Sequence, residues 1–152
     1  MILRKESAFI LVLLGLSMLP YLTHAQTLIS VLSGDQETSS FAKALENTGL
    51  DQQLTGIGPY TVFAPSNEAF ESFSSGMSTS SSRMRSVLLN HIMTGLATER
   101  SIRAMNKVTS LGGITLNIEN RGSEVLIGNA RLVQSNIRAG NGVVHIIDRV
   151  LR

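Results

Sequence analysis

The stretch Gly58-Pro59-Tyr60-Thr61-Val62-Phe63-Ala64-Pro65-Ser66-Asn67-Glu68-Ala69-Phe70, GPYTVFAPSNEAF, changes its structural period partway along. Gly56-Ile57-Gly58-Pro59 carries turn chemistry, and the β-branched and aromatic run Tyr60–Phe63 predicts a strand. Pro65 ends that strand, because proline has no N–H to give to a sheet ladder. Ser66 or Asn67 then caps a short helix over Glu68–Phe73, with Ala69, Phe70 and Phe73 on one face. Strand, proline corner and capped helix make a fixed bend around which the rest of the chain is arranged.

Toward the N-terminus, Phe41, Ala44, Leu45 and Thr48 fall on one helical face, and Asn47-Thr48-Gly49 supplies the stop. Toward the C-terminus, Ser74–Ser82 reads as a flexible serine-rich loop whose last serines can cap a further helix. In that helix Met84, Val87, Leu88, His91 and Ile92 form one apolar stripe, Asn90 lies on its edge, and Gly95 terminates it. The last third changes to short β-like runs: Lys107–Leu111, Ile114–Glu119, Glu124–Ile127, Arg131–Gln134 and Val143–Leu151. Gly112-Gly113, Asn120-Arg121-Gly122, Gly128-Asn129 and Gly140-Asn141-Gly142 separate them as turns. Helices first and strands last predict an α+β domain with a mostly antiparallel sheet. In the closing run Val143, His145, Ile147 and Arg149 face one way and Val144, Ile146, Asp148 and Val150 the other, so that strand is expected to be buried on both sides.

The 152 residues leave room for one domain with a proper core. Arg4 and Lys5, the apolar run Ala8–Leu19, Pro20 and the small-residue site Thr23-His24-Ala25 read as a secretory signal peptide over residues 1–25. The apolar run is shorter than the ~20 residues a spanning helix needs. The mature chain, 26–152, is then one domain without stable membrane insertion, exported to the extracellular space, or to the periplasm or cell surface of a bacterium. Cleavage removes Arg4, Lys5 and Glu6, leaving 11 basic and 10 acidic residues, a net charge of +1. So small an excess, with no basic cluster interleaved with aromatics, argues against nucleic acid as a partner. The chain has no cysteine, which excludes disulfides, thiol catalysis and Cys-based zinc sites. It also has no Asn-x-Ser/Thr sequon.

Catalytic constellations are equally scarce. The processed chain keeps only His91 and His145, with no metal-ligand spacing. There is no Gly-x-Ser-x-Gly elbow and no phosphate-binding glycine loop. In a strand, His145 and Asp148 point to opposite faces and cannot pair as acid and base. No enzyme, cofactor or metal site is therefore expected. A histidine on an apolar stripe is read as a buried brace with hydrogen-bond partners.

With these segments placed, the sequence resembles a single fasciclin (FAS1) domain from Thr27 to Arg152. The motif at Gly58–Phe70 is similar to that family's first conserved segment. Asn141-Gly142-Val143-Val144-His145-Ile146-Ile147-Asp148-Arg149-Val150-Leu151 is similar to its second, and Leu88-Leu89-Asn90-His91-Ile92-Met93-Thr94-Gly95 lies between, where the family commonly has Tyr-His. The resemblance implies a wedge or sandwich of mostly antiparallel strands with a cluster of helices. It also implies structural roles for Pro65, His91, Asn141, Gly142, His145 and Asp148. Its functional implication is a secreted, non-enzymatic module for cell adhesion, binding an extracellular or cell-surface protein, a matrix polymer or another copy of itself. Asn90-His91 and Asn136-Ile137 correspond to the places tied to integrin recognition in animal relatives. Here Asn90 replaces the aromatic Tyr, and Asn136 replaces an Asp that could offer a metal an anionic oxygen. The alternative the family implies is a carrier of a carotenoid or other apolar molecule, in a groove lined by Tyr60, Ile137, Val143, Met84 and Met93.

Overall fold

The computed structural model describes residues 26–76 and 80–152. The leader read over residues 1–25, and residues 77–79 of the serine-rich stretch, lie outside the described residues. The described chain opens with helices. Thr27 caps α1 (Leu28–Gly34) by accepting the Ser30 N–H, and α2 (Ser39–Asn47) follows. Phe41, Ala42 and Leu45 are the buried side of α2, which stops where the sequence places the stop, at Thr48 and left-handed Gly49. A further short helix, α3 (Leu50–Leu54), then leads to β1 (Tyr60–Pro65). Ser66 caps α4 (Asn67–Ser75) by accepting the Ala69 N–H, and Phe70 is buried from its apolar face.

After α5 (Ser81–Leu89) the structure departs from the helical reading. The helix ends at Leu89, Asn90 is its cap, and Ile92–Thr94 forms a strand, β2. Gly95 therefore follows a strand and does not terminate a helix. The apolar spacing fits a helix as far as Leu88, but Ile92 and Thr94 are β-branched and lie antiparallel to Val62 and Tyr60. Pairing with β1 overrides the local period. The chain continues through α6 (Glu99–Ala104), β3 (Lys107–Thr109), β4 (Thr115–Arg121), β5 (Glu124–Ile127), β6 (Ala130–Ala139) and β7 (Gly142–Ile147). The final strand stops at Ile147, not Leu151, because Asp148 turns its carboxylate onto Arg131 and Leu151 turns its N–H onto His91.

The strands form one seven-stranded sheet in the order β2-β1-β7-β6-β5-β4-β3. The β1–β7 pair is parallel, while the other neighbours are antiparallel. The ends of the sheet curl toward each other: Leu111, just after β3, donates to the Ile92 carbonyl of β2 at 2.8 Å. Alternation along this parallel pair separates two cores. Val62, Ala64 and Val144 face the helices and join Leu28, Phe41, Leu45 and Leu88. Phe63 and Ile147 face the inside of the curled sheet and join Met93, Ile102, Val108, Leu116 and Ile127. Every residue of β7 is buried, as a strand between two apolar layers must be.

Gly142 stands where this parallel pair leaves no room for a side chain. It sits opposite Tyr60, and a Cβ there would lie 2.0 Å from the Tyr60 carbonyl oxygen, a backbone atom that cannot swing aside. Gly142→Ala is expected to cost about 3 kcal/mol by forcing the two strands apart. Gly34→Ala, whose new methyl meets open space, should stay within about 0.5 kcal/mol of wild type. Chemical denaturation midpoints of the two variants check both expectations.

Candidate functional site

Both histidines of the described chain are fully buried, and each ring is held at both nitrogens. His91 Nδ1 lies 2.8 Å from the Val87 carbonyl, and the Leu151 N–H donates to His91 Nε2 at 3.0 Å. A carbonyl can only accept and an amide N–H can only donate. Nδ1 therefore carries the hydrogen and Nε2 the lone pair. The His91 carbonyl also accepts the Phe63 N–H at 2.8 Å, and the ring tilts against Phe41 with centroids 5.4 Å apart. One residue thus joins the end of α5, strand β1 and the C-terminal tail. Burial pushes its imidazole down to about 4, against the opposing pull of the Val87 carbonyl.

His145 uses the opposite tautomer. Its Nε2 donates to the Ala97 carbonyl at 2.7 Å, and its Nδ1 accepts the Asn136 N–H at 3.1 Å. Burial lowers its pKa, while the Ala97 carbonyl and the Glu99 carboxylate pull the other way. The Asn136 N–H is free to turn inward because β6 bulges there: Gln134 pairs with Ile146 and Ile137 with Val144, so an extra residue stands opposite His145. Asn136 takes a left-handed φ of 60°, a conformation its short amide side chain tolerates. Its Oδ1 accepts the Glu99 N–H at 2.9 Å at the start of α6. Glu99 in turn accepts from Ser135 and from Arg103, and these contacts hold its carboxyl below the usual carboxylate range.

The other motif residues also occupy junctions. Asn141 accepts the Leu28 N–H at 2.9 Å and donates to the Leu54 carbonyl, linking the β6–β7 turn to α1 and α3. Pro65 closes β1 opposite Ile147. Asp148 accepts the Arg131 N–H at 2.7 Å and its Nε–H at 3.3 Å, fixing the turn out of β7. Asn90 is half-buried against Gly112, and Ile137 packs on the helical core. The two places singled out from sequence, Asn90-His91 and Asn136-Ile137, do not converge on one cleft. Among the suggested groove residues, Tyr60, Met84 and Ile137 pack on the helical core while Met93 belongs to the interior of the sheet.

Two surface clefts lie beside the buried rings. One, of about 620 Å³, runs between α4 and the C-terminal tail and is bordered by Ser72, Phe73, Asp148, Arg149 and Arg152. His91 fixes the tail wall of that cleft through Leu151. The other, of about 330 Å³, is bordered by Ile57, Pro59, Leu96, Asn136, Arg138 and Val143. His145 fixes two of its walls, through Ala97 beside Leu96 and through Asn136. Ile57 is 99% exposed and Leu96 54% exposed at its rim. Arg138 there has no ion pair among the described residues. Periodicity did not single out this rim. Its one sequence signal is an isoleucine between two glycines in a turn, where an apolar side chain has nothing to pack on.

The comparisons with known proteins agree with this geometry. The family model for the fasciclin domain matches residues 36–152. The chain is 29% identical over 133 residues to protein sll1483 of Synechocystis sp., covering 84% of this chain and 73% of that protein. It is 33% identical over 130 residues to the transforming growth factor-beta-induced protein ig-h3 of Sus scrofa, covering 83% of this chain and 19% of that one. It is also 32% identical over 139 residues to human stabilin-1, of which it spans 5%. In three dimensions it resembles a FAS1 domain pair from the insect cell adhesion molecule fasciclin I. The TM-score is 0.62 at 28% sequence identity, covering 76% of this chain and 45% of that one.

The held rings predict a pH response. Unfolded, each imidazole gains its proton near 6.5; folded, His91 waits until about 4. Stability is therefore full above pH 6.5 and falls as pH drops toward 4, by about 3 kcal/mol for His91 alone, with His145 adding in the same direction. His91→Ala should lose about 3 kcal/mol at pH 7, through the cavity and the orphaned Leu151 N–H, and should flatten that decline. Denaturation midpoints of wild type and variant from pH 8 to 4 test both parts.

Proposed function

The chain belongs to the fasciclin domain family, and from that premise we propose that it is an exported, non-catalytic adhesion module. It would hold a cell-surface protein, a matrix polymer or another copy of itself. The observation that carries the reading is the rim of the smaller cleft, where Ile57 and Leu96 stand exposed beside Arg138 and the amide of Asn136. Apolar anchors within a polar border are what concentrates binding energy in a protein contact. His145 and His91 act as braces in this reading. Each ring nitrogen is already engaged, so neither imidazole offers a free atom to a reacting proton. Asn136 likewise spends its carbonyl oxygen on the Glu99 N–H, which supports recognition by its surroundings rather than by that oxygen.

Export follows from the leader read over residues 1–25. No described helix is long and apolar enough to cross a membrane. Removal of the leader after Ala25 would release the domain outside the cytoplasm, or into the periplasm or onto the cell surface of a bacterium.

Surfaces coated with purified protein are expected to retain cells or extracellular matrix from the native host. Substituting Ile57→Ser and Leu96→Ser together should weaken that retention about tenfold or more. The melting temperature should stay close to wild type, because both side chains already face solvent. Asn90→Ala, away from this cleft, should leave retention unchanged. Equal retention by the double variant would remove this rim from the contact. An absorbance band above the aromatic region in protein purified from the host would identify a carrier instead.

A further inference from the structure

We infer that the mature chain carries a pyroglutamyl ring at position 26, formed when cleavage after Ala25 frees the α-amine of Gln26. The inference rests on the proposed leader removal and adds a modification that removal alone does not require.

Gln26 is exposed, and no hydrogen bond to another described residue holds its side-chain amide. From its carbonyl onward the chain is held. The Gln26 carbonyl accepts the Gly140 N–H at 2.6 Å, the Thr27 carbonyl accepts the Val31 N–H at 3.0 Å, and Asn141 takes the Leu28 N–H. None of these bonds uses the nitrogen of residue 26. The two groups that react are therefore two that no hydrogen bond to another described residue occupies.

The step needs no co-reactant. The amine lone pair of Gln26 attacks its own side-chain Cδ and forms an Nα–Cδ bond. The Cδ–Nε2 bond breaks, and the departing nitrogen takes a proton from the former amine and leaves as ammonia. The product is a neutral lactam in place of an ammonium.

Neutrality suits the location. The amine would stand just before the first turn of α1, where the backbone already carries partial positive charge. Gly140, which holds residue 26, also borders the cleft with Ile57, Leu96 and Arg138. Closing the ring removes a second cation from the edge of that apolar rim and withdraws the terminus from aminopeptidases.

Intact-mass measurement and N-terminal sequencing of the secreted protein test the inference. The expected mass is that of residues 26–152 less one ammonia, with sequencing blocked until pyroglutamyl aminopeptidase is added. A mass equal to residues 26–152 with a readable Gln26 would overturn the ring but keep the leader boundary. A different first residue, or an uncut chain, would overturn both. Gln26→Ala should give an open terminus, no loss of ammonia and an unchanged melting temperature. If that variant still lacks one ammonia, the loss arises elsewhere, as at Asn141-Gly142, and the inference fails.

Discussion

The parallel contact between β1 and β7 is the constraint on which the rest of the molecule depends. It joins segments some eighty positions apart, Tyr60–Pro65 and Gly142–Ile147, and its two faces carry the two cores. Parallel neighbours cannot be joined by a tight turn, so everything between them, from α4 to β6, is one long crossover. That crossover adds α4 and α5 to the helical layer begun by α1–α3 on one face, and supplies the curled sheet on the other. With no cysteine to staple it, the arrangement depends on packing, and the close approach of the two backbones demands a glycine opposite the Tyr60 carbonyl.

The buried imidazoles solve a problem this topology creates. Where regular structure ends inside the protein, backbone N–H and C=O groups are left that no ladder can satisfy. His91 takes one N–H from the tail and shares the Val87 carbonyl at the end of α5 with the Asn90 N–H; His145 takes one carbonyl from the loop before α6 and one N–H from the bulge in β6. A neutral imidazole carries one donor and one acceptor at opposite corners, so it can link such a pair across a gap that neither strand nor helix fills. The same property makes these rings poor candidates for proton transfer, since using either nitrogen would first release a buried backbone group.

Much of the architecture was legible in the sequence. Tyr60–Phe63, the Pro65 corner, the stop at Thr48-Gly49, the glycine turns of the last third and the double-sided burial of the closing strand all follow from local chemistry. The failures share a cause. Ile92–Thr94 sits on a helical period but pairs with β1, and β6 extends to Ala139 because β7 offers it a partner. Helices α1, α3 and α6 are short, 7, 5 and 6 residues, and depend on caps and packing more than on periodicity. The site was less legible than the fold. Asn136 could be named, but not its left-handed backbone or its bond to His145, and Ile57 gave no sign of its neighbours because Leu96 lies on a separate loop.

The irregularity of β6 has a consequence for how the molecule behaves among its own copies. Its ladder with β5 extends only over Ala130 and Arg131, so its outer side from Leu132 onward lacks a strand partner among the described residues, and Val133 there is 62% exposed. A straight edge of that kind would invite a strand from another molecule. The register shifts on either side of Gln134 break its line, and Ser135 is tied sideways to Glu99. A foreign strand would find no continuous row of donors and acceptors to copy, which guards a cysteine-free domain against runaway sheet growth at high local concentration.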